Sequence, residues 1–392
     1  MKKILTLALL ASLFRVDAQE PIASTEMELF GDHIFINLSV DGSDPLEFIF
    51  DTGDGLPVID LEVAKALGLD LDHSATKTSA QGTVKGALID HNTIELEGVL
   101  LEKDIQLYAT SLQHLEMSVG KNIDGIIGFD LLHHYVVKLD YDNGMFELYD
   151  QSSYNHDGFG ESFEFKLDNY IPHIACEVKL NDGEVLEGDF FINTGAGTTL
   201  DFNTRFAQKN DIITRTGEHF SYPVAGISNN ETMHYEGRVR KFGFGTFDFS
   251  KMPIGISTAK HGIQNNKKVA GILGNKLLRR FNITFDYSRE VIYFLKNSNF
   301  NDAFTVNASG LYLQLNEDME KVVVKRVYDA SPAKVAGIKK DAEILKVNGQ
   351  SVSEFTLPQL LKLLEKVNED VEITVWQMGE EQTFTLDLRQ LI

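Results

Sequence analysis

Two segments of the chain, 142 residues apart, are near-copies of each other. The first reads Phe48-Ile49-Phe50-Asp51-Thr52-Gly53-Asp54-Gly55 and the second Phe190-Phe191-Ile192-Asn193-Thr194-Gly195-Ala196-Gly197. The likeness extends on both sides. His33-Ile34 opens an alternating strand that turns at Asp41-Gly42-Ser43-Asp44 and returns through Leu46 to Phe50; His173-Ile174 opens another that turns at Asn181-Asp182-Gly183 and returns through Phe190 to Ile192. Downstream, Asp124-Gly125-Ile126-Ile127-Gly128 with Leu131-Leu132 is matched by Ala270-Gly271-Ile272-Leu273-Gly274 with Leu277-Leu278. Gly128 follows Asp51 by 77 residues and Gly274 follows Asn193 by 81. Equal order at nearly equal spacing means two copies of one mainly β unit, which must share a fold. The spacing sets the units at residues 22–150 and 160–297, joined by a polar stretch around 151–160.

Each returning strand leads toward a short helix. Asp60 precedes Leu61 to Leu67, closed by Gly68, and Asp201 precedes Phe202 to Ala207, so both aspartates are expected as N-caps. The last 85 residues follow another plan. Ser331-Pro332 to Gly337 reads as a short helix with Ser as N-cap, Pro at N1 and Gly just past the end. Glu343 to Val347 is a strand before the Asn348-Gly349 turn, Leu357 to Val367 is helical, and 371–376 and 383–388 alternate like paired strands.

The chain begins with Lys2 and Lys3, an apolar run from Ile4 to Phe14 and a small-residue site at Val16-Asp17-Ala18, the pattern of a cleaved signal peptide at 1–18. That run is too short to span a bilayer, so no transmembrane anchor is expected after cleavage, and the lysines point to an exported bacterial protein, periplasmic or extracellular. Cleavage removes Lys2, Lys3, Arg15 and Asp17 and moves the formal charge from −22 to −24. Such a surface repels phosphate backbones, which argues against nucleic acid as a partner. Cys176, the one cysteine, lies in a strand pattern and reads as a core residue. The eleven histidines show no metal-ligand spacing, so neither metal nor cofactor is expected.

The two units resemble the retropepsin-like aspartic peptidases of bacteria. The residues that carry the resemblance are Asp51-Thr52-Gly53, its counterpart Asn193-Thr194-Gly195, and the hydrophobic-hydrophobic-glycine signals Ile126-Ile127-Gly128 and Ile272-Leu273-Gly274. It implies two β-barrel-like lobes with a peptide cleft between them, Asp51 and Asn193 at the catalytic positions, and Thr52, Gly53, Thr194 and Gly195 supporting them. In this family two facing carboxylates share one proton, one acting as base on water and the other as acid on the carbonyl. Here the second position is an amide. Asn193 can donate a hydrogen bond but cannot exchange a proton, and loss of such a group costs on the order of 10²–10⁴ in rate. Asp54 is a second departure, expected to turn outward because a buried extra charge is costly. Substrate-covering hairpins are expected at Ala80-Gln81-Gly82-Thr83 and Val224-Ala225-Gly226-Ile227.

Residues 308–392 resemble a PDZ domain, an α+β module that takes an extended peptide as an added strand. Gly310-Leu311-Tyr312-Leu313 matches its carboxylate-binding loop, and the groove beside the helix starting near Leu357 would take an apolar C-terminal side chain. Two functions follow from these resemblances. One is an aspartic endopeptidase-like hydrolase acting on peptide or protein substrates, with peptide C-termini recruited at the PDZ domain. The other is a pseudoprotease that binds peptides as an adaptor without hydrolysis.

Overall fold

The computed structural model describes residues 19–392 except 229, so the signal-peptide segment lies outside the described residues. Alternating burial along His33–Val40 and fully apolar burial at Phe48, Ile49 and Phe50 place the first hairpin with its inner face in the core. The second unit repeats this with Ile171–Lys179 and Val185–Asn193. In each lobe the glycine-rich strand runs parallel to the strand that ends at the key residue: Gly125–Ile127 beside Leu46–Phe50, and Gly271–Gly274 beside Val185–Asn193. Each of these strands is also bonded on its other side, which fixes the loop from behind.

The lobes are joined by a six-stranded antiparallel sheet to which both contribute. Its order is Ala23–Glu26, Met145–Asp150, Tyr135–Asp140, Phe281–Asp286, Val291–Lys296, Glu161–Glu164. At its centre the equivalent strands of the two lobes meet, Val137 opposite Phe285 and Leu139 opposite Ile283. This is the pairing expected of two copies related by an approximate two-fold axis. A single apolar core runs through both lobes, with Phe50, Phe146, Phe190, Phe281 and Phe285 fully enclosed. Cys176 is buried within it.

The C-terminal module has its own core of Leu311, Val324, Ile344, Leu360, Val375 and Leu386 among others. Its sheet runs in the order Leu311–Leu315, Val322–Val327, Glu343–Val347, Asp370–Gln377, Glu380–Asp387, so Leu311–Leu315 is an edge strand. Thr356 and Gln359 form a reciprocal capping box at the helix Leu357–Leu363, and Ser331 caps Pro332–Ala336. Phe300 and Phe304 pack on Phe249 of the second lobe, so the module starts after them.

Two local expectations are corrected. Asp60 caps its helix through the amides of Glu62 and Val63, but Asp201 caps nothing. It lies inside the strand Leu200–Phe202, and the following helix starts at Thr204 after Asn203. The helix near Leu357 ends at Leu363 rather than Val367, because Leu364 closes it by bonding back to Leu360 and Leu361.

Candidate active site

Each strand that ends at the site turns sharply through Thr-Gly, and the two turns interlock. The Thr52 amide donates to Thr194 Oγ1 at 3.0 Å and the Thr194 amide to Thr52 Oγ1 at 3.1 Å. Each hydroxyl then donates across the interface, Thr52 to the Ile192 carbonyl at 2.7 Å and Thr194 to the Phe50 carbonyl at 2.8 Å. Both threonines are buried. Four bonds in a low-dielectric interface hold the loops in one register.

This register brings Asp51 and Asn193 together. A β-carbon at Gly53 would lie 2.1 Å from Asn193 Nδ2 and 3.0 Å from Asp51 Oδ1. One at Gly195 would lie 2.1 Å from Asp51 Cγ. Any side chain at either position would enter the space of the pair, so glycine is required by close approach. The Gly53 amide donates to Asp51 Oδ1 at 2.7 Å and the Ala196 amide to Asn193 Oδ1 at 2.9 Å. With Oδ1 of Asn193 accepting from the backbone, its Nδ2 is the group that faces Asp51 and the cleft.

Asp54 departs from expectation: it is buried, not turned outward. Its carboxylate pairs with Lys77 of the strand His73–Ser79, and Lys77 Nζ also donates to the Leu56 carbonyl at 2.5 Å. The cost of burying the acid is offset by a cation brought from the first hairpin. Burial first, and then the Asp54 charge, push the Asp51 carboxyl up to about 7, while the Gly53 amide, Lys77 and the Gly195 amide act the other way. Burial also raises Asp54, against the pull of Lys77. Asp130, in the helix after Gly128, is pushed up to about 6 by burial and then by Asp54.

The two hairpins meet each other at their tips, and the first also supplies Lys77 to Asp54. The tip of the first contacts the opposite lobe, where the Gln264 amide donates to the Ala80 carbonyl at 3.0 Å and Gln81 Nε2 to Gln264 Oε1 at 3.0 Å. Gln264 Oε1 also lies 3.1 Å from the ring of buried His234. The second hairpin, Phe220–Val224 with Thr232–Arg238, meets the first at its tip: a β-carbon at Gly226 would lie 2.7 Å from Gln81 Oε1. Lys77 and Gln264 were not singled out in the sequence, and Gln81 only as part of an expected hairpin tip. They lie in hairpins and loops whose partners are set only by the closed fold.

In the C-terminal module, Leu311 and Leu313 are core residues and Tyr312 lies between them, half-buried. The donors expected to be free in the Gly310–Leu313 loop are partly used: the Gly310 amide donates to Asn307 Oδ1 at 2.8 Å and the Leu311 amide to Ser309 Oγ at 3.0 Å. Leu357 is buried. Among the described residues no group of His, Cys, Asp or Glu has the arrangement of a metal site, and no helix is long and apolar enough to cross a membrane.

Residues 36–131 match the family model described as aspartyl protease, and residues 300–376 match that of the PDZ domain. The architecture is therefore an aspartyl-protease fold followed by a PDZ domain, with the second lobe repeating the topology of the matched first one. No curated protein matches the chain.

Proposed function

We propose that the chain is an exported aspartic endopeptidase-like protein that binds extended peptides between its lobes and hydrolyses them slowly through Asp51. The observation that carries this reading is the single carboxylate at the interlocked turns, with the Asn193 amide opposite it. Ionised Asp51 would take a proton from a water, and Asn193 Nδ2 would donate a hydrogen bond to the substrate carbonyl oxygen as charge develops on it. With its pKa pushed up to about 7, Asp51 is a base of useful strength at neutral pH. The step that Asn193 cannot take is proton transfer to the carbonyl oxygen, so hydrogen bonds alone would hold the oxyanion. Asp51 would protonate the leaving amine with the proton received from water.

The second reading is a peptide-binding pseudoprotease, favoured by the same amide. Incubating the chain from Gln19 onward with a diverse peptide library, alongside Asn193→Asp, separates the two. Slow cleavage by the natural chain, accelerated about 10²-fold or more in the variant, supports the hydrolase. Binding without cleavage in the natural chain, with cleavage in the variant, supports the adaptor. A variant that binds and still does not cleave would remove the peptidase reading. Recruitment of peptide C-termini by the PDZ domain and export are part of the proposal; a free N-terminus at Gln19 on protein recovered outside the cytoplasm would support the latter.

A further inference from the structure

The PDZ domain's peptide groove lies between the edge strand Leu311–Leu315 and the helix Leu357–Leu363. Part of the first lobe contacts both elements. The helix Gln113–Val119 packs against that edge strand. Its Ser118 hydroxyl donates to the His114 carbonyl within the helix at 3.1 Å, and Ser118 and Tyr312 line the same cavity. Gly120, which ends the helix in the left-handed region at φ 87°, lies so close to the first residue of the PDZ helix that a β-carbon there would sit 2.6 Å from Leu357 Cβ. At the other end of this segment Gln113 donates to the Glu317 carbonyl at 3.3 Å.

The same helix holds the second cleft hairpin. His114 Nε2 lies 2.9 Å from the Gly226 carbonyl at the hairpin tip, and burial lowers the pKa of this ring, so it serves as a neutral donor. The PDZ strand Val322–Val327 and the residue just beyond it grip the hairpin from the other side. Lys325 pairs with Glu231 at 3.0 Å, Arg326 donates to Ser221 Oγ at 3.4 Å, and the Tyr328 ring stacks on Phe220 with centroids 4.7 Å apart. A cavity of about 250 Å³ at the centre is lined by residues of all three parts, among them His114, Ser118, Ala225, Glu231, Tyr312 and Lys325.

We infer that the Gln113–Gly120 segment is an internal ligand of the PDZ groove, and that its seating there holds the second hairpin over the cleft. An extended peptide added to the Leu311–Leu315 edge must displace this segment, and with it the His114 contact to Gly226. The PDZ domain then acts as a latch: filling its groove from outside frees the hairpin and opens the way to Asp51. The inference rests on the reading of the hairpins as cleft covers, but its test needs no cleavage.

Hydrogen exchange on the full chain provides that test. Ser118 is exposed on the helix and lines the cavity beside Tyr312, so Ser118→Trp leaves the helix itself intact and crowds the edge strand. Exchange at Leu311–Leu315 and in the hairpin 220–238 should rise together by at least tenfold, with Phe48–Phe50 unchanged. His114→Phe leaves the groove filled and should speed only the hairpin. A Ser118→Trp chain in which the groove strand exchanges faster while the hairpin does not would overturn the coupling; no change in either would overturn the seating. Should Phe48–Phe50 also exchange faster, the decision passes to Lys325→Glu, expected to loosen the hairpin, and to its combination with Glu231→Lys, expected to restore it. A double variant as loose as the single one would then count against the latch. Because only exchange is read, a chain that proves inert toward every peptide can still support or lose this inference.

Discussion

Between Phe50 and Gly55 the first lobe places two carboxylates, Asp51 and Asp54, where the second lobe has Asn193 and Ala196 at the matching positions. One turn further on, after the matched glycines, the first lobe has Asp130 and the second Lys276. Backbone and hydrogen bonding are alike in the two copies, yet every acid of the site comes from one side. Duplication preserved what positions the loops and released what titrates on them. In place of two carboxylates that share a proton across the lobes, one lobe holds a carboxylate beside a lysine-paired neighbour, and the other supplies an amide.

The strongest way to break this comparison is Asp51→Ala. If the chemistry resides in the first lobe alone, peptide cleavage should fall by about 10³–10⁴-fold with binding retained. Unaltered turnover would mean that the site lies elsewhere. Next in size is Asn193→Asp, which restores symmetry: cleavage should rise by about 10²-fold or more, and the pH profile should gain a second limb as two acids share one proton. In the natural chain a single limb is expected instead, with the rate rising as pH passes about 7 and Asp51 ionises.

The Asp54–Lys77 pair can be tested through stability. Lys77→Met leaves Asp54 buried without its cation and should destabilise the fold by on the order of 3 kcal/mol near pH 8, measured by denaturant unfolding. Adding Asp54→Asn should recover much of that loss; failure to recover would show that Lys77 acts through packing on Tyr108 instead. The last test is the effect of Asp51→Asn on stability as a function of pH. Because the folded-state pKa of Asp51 is raised, the folded chain binds more protons than the unfolded one between about 3.8 and 7. Its contribution is therefore fully present below the lower value and lost as pH rises through the upper one. The amide should stabilise the chain by up to about 4 kcal/mol above pH 7 and by nothing near pH 3, as read from unfolding free energies at the two pH values.

The two lobes, their turns and the glycine strands behind them were legible because a repeat displays local pattern twice. Asp51, Asn193 and the threonines were legible for the same reason. Lys77 was not, because its role depends on a hairpin folding back over Asp54, 23 residues away. Asp201 was misread as a cap because Asp followed by an apolar run also describes a buried strand; its carboxylate accepts from Thr198 at 2.9 Å instead. The contact between the helix Gln113–Val119 and the PDZ strand Leu311–Leu315 had no local signal at all. Gln113 and Glu317 meet across 204 residues, and each stretch reads normally by itself.

On the proposed reading, the sheet that both lobes build limits how a substrate would enter. Strands Tyr135–Asp140 and Phe281–Asp286 are hydrogen-bonded to each other along the molecule's floor, and the phenylalanine core is continuous above them. Swinging the lobes apart about a hinge would tear that ladder and expose the core, a cost of the order of global unfolding. On that reading the floor holds and the roof must yield: passage would depend on the rates at which the two hairpins lift. Turnover in such a molecule would be gated, and a mutation far from any carboxylate could change it more than one beside Asp51.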